Sequence, residues 1–230
     1  MSKKRVVVTG MGVVSPIGNN LDHFWNNLKK GTNGINDISL FDTTNFDVKI
    51  AGESNIDLKS FFDKKELNKL DRFSAFALIA AEQAINQSNI LHSKTPLSRI
   101  GVIVGSGIGG IGTFEAQHKK LLKNPRFVSP FFIPSMISDI AAGQISIKYG
   151  FKGINYSVAS ACATSNHAFG DAYKMIQSGM ADVIISGGSE AAITEMSIAG
   201  FSNMKALSKN PDKNSASRPF DKNRDGFVMG

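Results

Sequence analysis

The chain has 230 residues, 42% of them hydrophobic and 20% charged, enough to bury a sizeable core as one globular body. One cysteine excludes an internal disulfide, four scattered histidines show no zinc-ligand spacing, and no apolar run approaches the roughly 18 to 20 residues of a membrane helix. The net charge of +7, from 26 basic and 19 acidic side chains, fits either attraction to an acidic partner or a lysine-rich solvated surface. The basic residues come as scattered pairs without interleaved aromatics, which argues against nucleic acid.

The start, "MSKKRVVVTG", lacks the roughly 7 to 15 residue apolar stretch of a secretory signal, so a cytoplasmic protein is expected. "KRVVVTGMGVVS" predicts a buried strand entering a glycine turn, and "NLDHFWNNLKKG" a helix closed by Gly31. Residues 32 to 60 have no period and predict an irregular excursion. From Asp63, "DKKE" supplies a capping carboxylate and a returning Glu66, and Leu67, Leu70, Ser74, Ala77, Leu78, Ala81 and Ile85 extend one long helix. "RIGVIVGSG" predicts a strand, "GTFEAQHKKLLKN" a helix, and "PSMISDIAAGQISIKYG" a second helix with Pro134 near its start and Gly150 past its end. "INYSVASA" and "ADVIISGGSE" add two strands with a helix between them, and a further strand is expected from Gly226 onward. Continuous apolar strands separated by helices indicate an α/β fold with a mostly parallel sheet covered by helices.

Three motifs invite specific chemistry. In "TGMGVVSPIG", Gly10 and Gly12 follow a strand, but Ser15 stands at the third dinucleotide-fingerprint position. In "GSGIGG", Gly105, Gly107 and Gly110 satisfy the spacing, yet the second strand and its acidic end are missing, so close backbone packing competes with nucleotide binding. "DKNRDG", residues 221 to 226, imitates half a calcium loop without flanking helices and is better explained as an Asp- and Asn-rich turn.

Cys162 lies where the alternation of "INYSVASA" gives way to helical spacing at Ala168, Ala172, Met175 and Ile176, ending at Gly179. A cysteine at a helix start sits near free amide donors and the positive end of the dipole, which favour thiolate and can receive an oxyanion. The competing explanation is a small, inert packing residue. His167, five positions on, is rotated about 140° away on a helix, and His23, His92 and His118 have no obvious route to the sulfur. No proton-transfer partner for Cys162 is evident.

The run "SVASACATSNHAFGDAYKMIQSGMADVIISGGSEA" resembles the active-site region of the β-ketoacyl-acyl carrier protein synthases, the condensing enzymes of fatty-acid synthesis. "VVVTGMGVVSPIGN", "GSGIGGI", "FFIPSMISDIAAGQISIKYG" and "ASRPFDKNRDGFVMG" extend the similarity over nearly the whole chain, closest to the elongating, type II branch. Ala163 stands where many relatives carry Ser or Thr. The resemblance implies a thiolase-like layered α/β fold of two similar halves, with residues 1–230 as the first. It implies no cofactor and no metal. Cys162 would accept an acyl group as a thioester, its own backbone N–H forming half of the oxyanion hole. The two histidines and the lysine that relatives use for decarboxylation belong to the second half, so condensation by this half alone is not expected.

By the same resemblance, Ile108 and Phe201 line the acyl pocket, and the bulk at 108 limits chain length. Phe132 and Ile133 are contributed across a homodimer interface. Lys64, Lys65, Lys69, Arg126 and Lys205 match basic positions where the acidic acyl carrier protein docks, and substrates are acyl and malonyl thioesters. The alternatives are a non-catalytic partner or polyketide-type ketosynthase fragment, and a dinucleotide-binding oxidoreductase. Non-catalytic relatives usually lack the cysteine, so Cys162 favours the enzyme.

Overall fold

The computed structural model describes residues 4–230. In chain order the elements are α1 (Leu21–Lys29), β1 (Asn36–Asp37), β2 (Ile50–Ala51), α2 (Lys64–Leu67), α3 (Arg72–Ser88), β3 (Ile100–Gly105), α4 (Ile111–Leu121), α5 (Phe132–Met136), α6 (Ile140–Tyr149), β4 (Asn155–Tyr156), α7 (Thr164–Gln177), β5 (Val183–Gly188) and α8 (Glu195–Asn203). The described residues divide into two compact units, one of residues 4–12 and 58–191, the other of residues 13–57 and 192–230.

The larger unit is built on a three-stranded parallel sheet in the order β4-β3-β5. β3 is central and buried at every residue, as its uninterrupted apolar sequence requires. It pairs along its whole length with β5, from Ile100↔Val183 to Gly105↔Gly188. α7 connects the two outer strands and packs Ala168 and Ala172 onto Ile103, with Val158, Met175 and Ile184 closing that cluster. α6 packs on β3 and on α3, whose buried face is the run Phe73, Ser74, Ala77, Leu78, Ala81 and Ile85. This is the α/β layering expected from the strand pattern.

Several predicted elements are shorter or broken, each for a local reason. The helix from Asp63 has both bonds of its capping box, but it stops after one turn. Asp71 then acts as a second N-cap, its carboxylate accepting the Phe73 N–H at 3.1 Å, and α3 starts afresh. The helix over "PSMISDIAAGQISIKYG" is likewise two helices: the Met136 carbonyl accepts from the Gly110 amide at 2.8 Å, and Ile137 turns to extended backbone. Pro134 falls in the first turn of α5, where its missing N–H has no intrahelical partner to lose. Only Asn155 and Tyr156 of "INYSVASA" are in register with β3, and farther on the Ser160 amide is taken by the Thr164 hydroxyl. "KRVVVTG" forms no ladder among the described residues, and Val7 and Val8 are 61% and 80% exposed. Its end, Gly10 to Gly12, lies against α3 instead, the Met11 N–H donating to the Gln87 side chain at 2.7 Å. Cβ atoms at Gly10 and Gly12 would sit 2.0 and 1.9 Å from the carbonyl oxygens of Ala84 and Ala80, so these glycines serve close backbone approach.

Arg99, just before β3, clasps the loop after α7. It donates to both Asp182 oxygens at 3.0 and 3.1 Å and to the carbonyls of Met180 and Gly179. The Arg99 hydrogen bonds, with lesser help from Lys4, hold the Asp182 carboxyl down at about 2. A carboxylate whose folded value lies below its unfolded value stabilises the fold above the unfolded value of 3.8 and loses that contribution as pH falls toward 2. Melting temperatures of Asp182→Asn are therefore expected to fall less steeply than wild type between pH 4 and pH 2; parallel curves would contradict the assignment.

In the smaller unit, α1 forms as predicted, with Asn20 accepting from the His23 N–H and Gly31 beyond its end at φ 65°. The irregular excursion contains one short antiparallel pairing, β1 with β2. α8 has no counterpart among the predicted elements; Thr194 caps it by accepting from the Ser197 N–H. The strand expected from Gly226 is a single parallel bridge, Leu207 with Phe227. Asp225 of the calcium-like run accepts from the Ser208 hydroxyl at 2.7 Å and pairs with Arg218 at 3.1 Å, so this run is an internally satisfied turn. Among the described residues no group of three His, Cys, Asp or Glu side chains could hold a metal ion.

Candidate active site

Cys162 is exposed, in the middle of a 3₁₀ turn over Ala161–Ala163 that runs directly into α7. α7 therefore begins two residues later than the spacing predicts, at Thr164. Ala161, immediately before the cysteine, has φ 49°, a left-handed conformation that alanine rarely adopts and that persists only where the surroundings impose it. What imposes it is a latch. Thr164, buried, accepts the Ser160 N–H at 2.8 Å, and the Ala163 N–H closes onto the Ser160 carbonyl at 3.1 Å. The turn sits where β3 and β5 end. A Cβ at Gly105 would lie 2.2 Å from Thr164 Cγ2, and one at Gly188 would lie 2.9 Å from Ser165 Cβ, so two strand-end glycines let the start of α7 press onto the sheet.

The start of α7 has no side-chain cap and no acidic residue in its first turn. The positive end of its dipole favours negative charge beside the sulfur, which suits an acyl oxygen becoming an oxyanion, although the Thr164 N–H is itself taken by the Ala161 carbonyl. The Cys162 N–H precedes the first hydrogen-bonded amide of the turn, that of Ala163. His167 shares a 2.6 Å hydrogen bond with the Ser160 hydroxyl through Nδ1, while His118 stacks on Phe114.

The "GSGIGG" run connects β3 to α4, yet its donors are not free for a phosphate. Glu190, two residues past β5, accepts the Ser106 hydroxyl at 2.9 Å and the Gly107 N–H at 2.7 Å, while the Ser106 oxygen takes the Gly109 N–H at 2.8 Å. The protein's own carboxylate thus occupies the place a nucleotide phosphate would take. This loop carries Ile108, which is exposed, and a Cβ on Gly107 would stand 3.6 Å from Ala161 Cα. Ile108 and Cys162 are accordingly carried on neighbouring backbone.

Phe132 and Ile133 open α5, with Phe132 half-buried against Phe114 at 6.3 Å and Ile133 exposed. Lys69 joins the same neighbourhood: its ammonium lies 5.1 Å from the Phe131 ring centroid and its carbonyl accepts the Ser135 hydroxyl. Lys64 and Lys65 are exposed on α2, and Arg126 is exposed on the turn Pro125–Phe127, which packs on α4. Phe201 and Lys205 belong to the smaller unit. Phe201 packs edge-on against Phe227 at 5.7 Å, and exposed Lys205 adopts φ 58°.

Ala161, Thr164 and Glu190 were not singled out for these roles by sequence reasoning. Nothing in an alanine signals a left-handed backbone. The Ser160–Thr164 spacing and the glycines ending two consecutive apolar strands are the features that could have marked the latch.

Residues 3–230 match the family model described as Beta-ketoacyl synthase, N-terminal domain. The chain is 50% identical, over 99% of its length, to a 3-oxoacyl-[acyl-carrier-protein] synthase 2 of Staphylococcus aureus (strain COL), and 47% identical, over 100% of its length, to one of Synechocystis. It spans about half the length of these curated relatives, 55% and 56%. Among solved structures it is similar to a type II polyketide ketosynthase in complex with its acyl-carrier protein, at TM-score 0.87 and 30% identity, covering 99% of this chain and 56% of that one. A β-ketoacyl synthase from Burkholderia phymatum aligns with TM-score 0.85 and 28% identity over 98% of this chain and 56% of that one.

Proposed function

Because the chain belongs to the β-ketoacyl synthase N-terminal domain family, we propose that it forms the acyl-accepting half of a 3-oxoacyl-acyl carrier protein synthase, with Cys162 as nucleophile. The observation that carries this is the exposed Cys162 on a turn whose preceding residue, Ala161, is held left-handed. The sulfur attacks the carbonyl carbon of an acyl thioester. The tetrahedral oxyanion takes a hydrogen bond from the Cys162 N–H, and collapse releases the carrier thiol and leaves the acyl group on sulfur. Decarboxylation of a malonyl thioester then supplies the carbon nucleophile that displaces Cys162, releasing carbon dioxide and a 3-oxoacyl product. For that step the family resemblance assigns the histidines and lysine to the second half.

Ile108 and Phe201 are proposed to line the acyl pocket, and Phe132 and Ile133 to meet a second copy in a homodimer. The carrier protein is proposed to dock on Lys64, Lys65, Lys69, Arg126 and Lys205. Support comes from their exposure at Lys64, Lys65, Arg126 and Lys205, and from the solved ketosynthase with its carrier protein bound. Acidic partners steered by such a patch lose association rate when its sign is reversed.

The test is acyl transfer from a long-chain acyl carrier protein to the full-length protein, followed by intact-mass spectrometry. With Lys65→Glu and Lys69→Glu together, transfer is expected to slow by about tenfold or more at low salt, while alkylation of Cys162 by iodoacetamide keeps its wild-type rate. Equal loss of both reactions would count against the docking assignment.

A further inference from the structure

Glu190 has no part in the chemistry above, yet two donors converge on it from the glycine loop. Oε1 accepts the Ser106 hydroxyl at 2.9 Å and Oε2 the Gly107 N–H at 2.7 Å. Ser106 is itself buried, and its oxygen accepts the Gly109 N–H at 2.8 Å, so one hydroxyl links both sides of the turn. Glu190 is fixed from behind by its neighbour: the Ser189 N–H donates to the Gly105 carbonyl at 3.0 Å, and the Ser189 hydroxyl to the Phe73 carbonyl at 2.7 Å. The far end of the loop is tied separately, by Gly110 on the Met136 carbonyl and by Asp71 accepting the Thr113 N–H. Only the stretch bearing Ile108 depends on Glu190.

We propose that Glu190 is a positioning residue for acyl-chain selection: its carboxylate holds the Ser106–Gly109 turn and so fixes where Ile108 stands beside the Ala161–Cys162 turn. The proposal rests on the reading of Cys162 as acyl acceptor and Ile108 as pocket residue. A glutamine cannot substitute, because the two donors arrive on separate carboxylate oxygens and its amide offers one oxygen and turns an NH₂ toward the other donor. A donor left unpaired in a half-buried turn relaxes it, and Ile108 then ceases to be a fixed limit on chain length. Burial raises the Glu190 carboxyl above its ordinary value, and its hydrogen bonds to the loop offset that only in part. Gly107 belongs to the same device, since a Cβ there would lie 2.8 Å from Glu190 Oε2.

The experiment loads full-length wild type, Glu190→Gln and Gly107→Ala with hexanoyl and palmitoyl carrier protein, reads the acyl increments by mass, and follows hydrogen exchange at residues 107–109. Both variants are expected to raise the palmitoyl-to-hexanoyl ratio by about tenfold, the scale on which a hydrophobic pocket discriminates chain length, and to exchange those amides at least about tenfold faster. Gly107→Ala leaves Glu190 in the chain and carries the test should Glu190→Gln fail to fold. A ratio that stays within about twofold of wild type or moves toward hexanoyl, or unchanged exchange at 107–109, overturns the assignment. Wild type that takes up no acyl group at all sinks the acyl-acceptor reading itself, a result distinct from wild-type loading with an unaltered ratio in both variants.

Discussion

Cys162→Ala in the full-length protein is expected to take up no acyl group from a long-chain donor and to lose condensation by a factor on the order of 10⁴ to 10⁶, the range seen when an activated nucleophile is removed. The same change should scarcely affect folding. Cys162 is exposed, and the turn that carries it is held by Thr164, Ser160 and the strand-end glycines rather than by the sulfur. Substitutions at such positions usually stay within about 0.5 kcal/mol. Cys162→Ser keeps the shape but exchanges the sulfur for a hydroxyl, a far weaker nucleophile at neutral pH, so it too should fail to accumulate acyl enzyme. The measurement is paired: acyl increment by mass and melting temperature by calorimetry. An alanine variant that still acylates at the wild-type rate would remove Cys162 from the mechanism.

Gly105→Ala is expected to damage stability and site together. Its methyl would stand 2.2 Å from Thr164 Cγ2 and 2.7 Å from the Val158 carbonyl oxygen, distances at which something must move. Thr164 is the latch of the cysteine turn and Val158 belongs to the cluster that seats α7 on β3, so neither can yield without shifting Cys162. Overpacking of this kind costs about 3 kcal/mol or more, which in a chain of this size lowers the melting temperature by about 6 to 12 °C. Gly170→Ala is the natural contrast. Gly170 lies within α7 with nothing within 4 Å of an added Cβ, and alanine there should stabilise the helix by about 0.5 to 1 kcal/mol. If both variants melt together, close packing at the strand end is not what holds the turn.

The strand-helix-strand frame that carries the site was legible because its signals are local. β3 is an uninterrupted apolar run, β5 opens with the apolar Val183–Ile185, and α7 carries helical spacing from Ala168 onward. Breaks in the helices were not legible in the same way. The Met136 carbonyl is lost to α5 because Gly110, 26 residues earlier, takes it, a tertiary event with no trace in the local pattern. Asp71 could have been read as a cap, but Leu67 and Leu70 continue the apolar period across it and hide the interruption. At the site itself, periodicity located Cys162 and put it within two residues of the helix it precedes. The backbone conformation of Ala161 depends on a side-chain latch, Ser160 to Thr164, that periodicity does not report, and the convergence on Glu190 joins residues 84 positions apart in sequence, Ser106 and Glu190. The glycine run was ambiguous for a physical reason. A loop that wraps a phosphate and one that wraps a carboxylate need the same bare amides, and only the fold reveals which anion is supplied.

The most direct test of an acyl-accepting Cys162 is peptide mapping of the full-length protein after brief exposure to palmitoyl carrier protein. The account predicts a palmitoyl increment on the peptide containing Cys162, released by hydroxylamine as a thioester should be. An unmodified Cys162 peptide, or an increment found only on another residue, would contradict it.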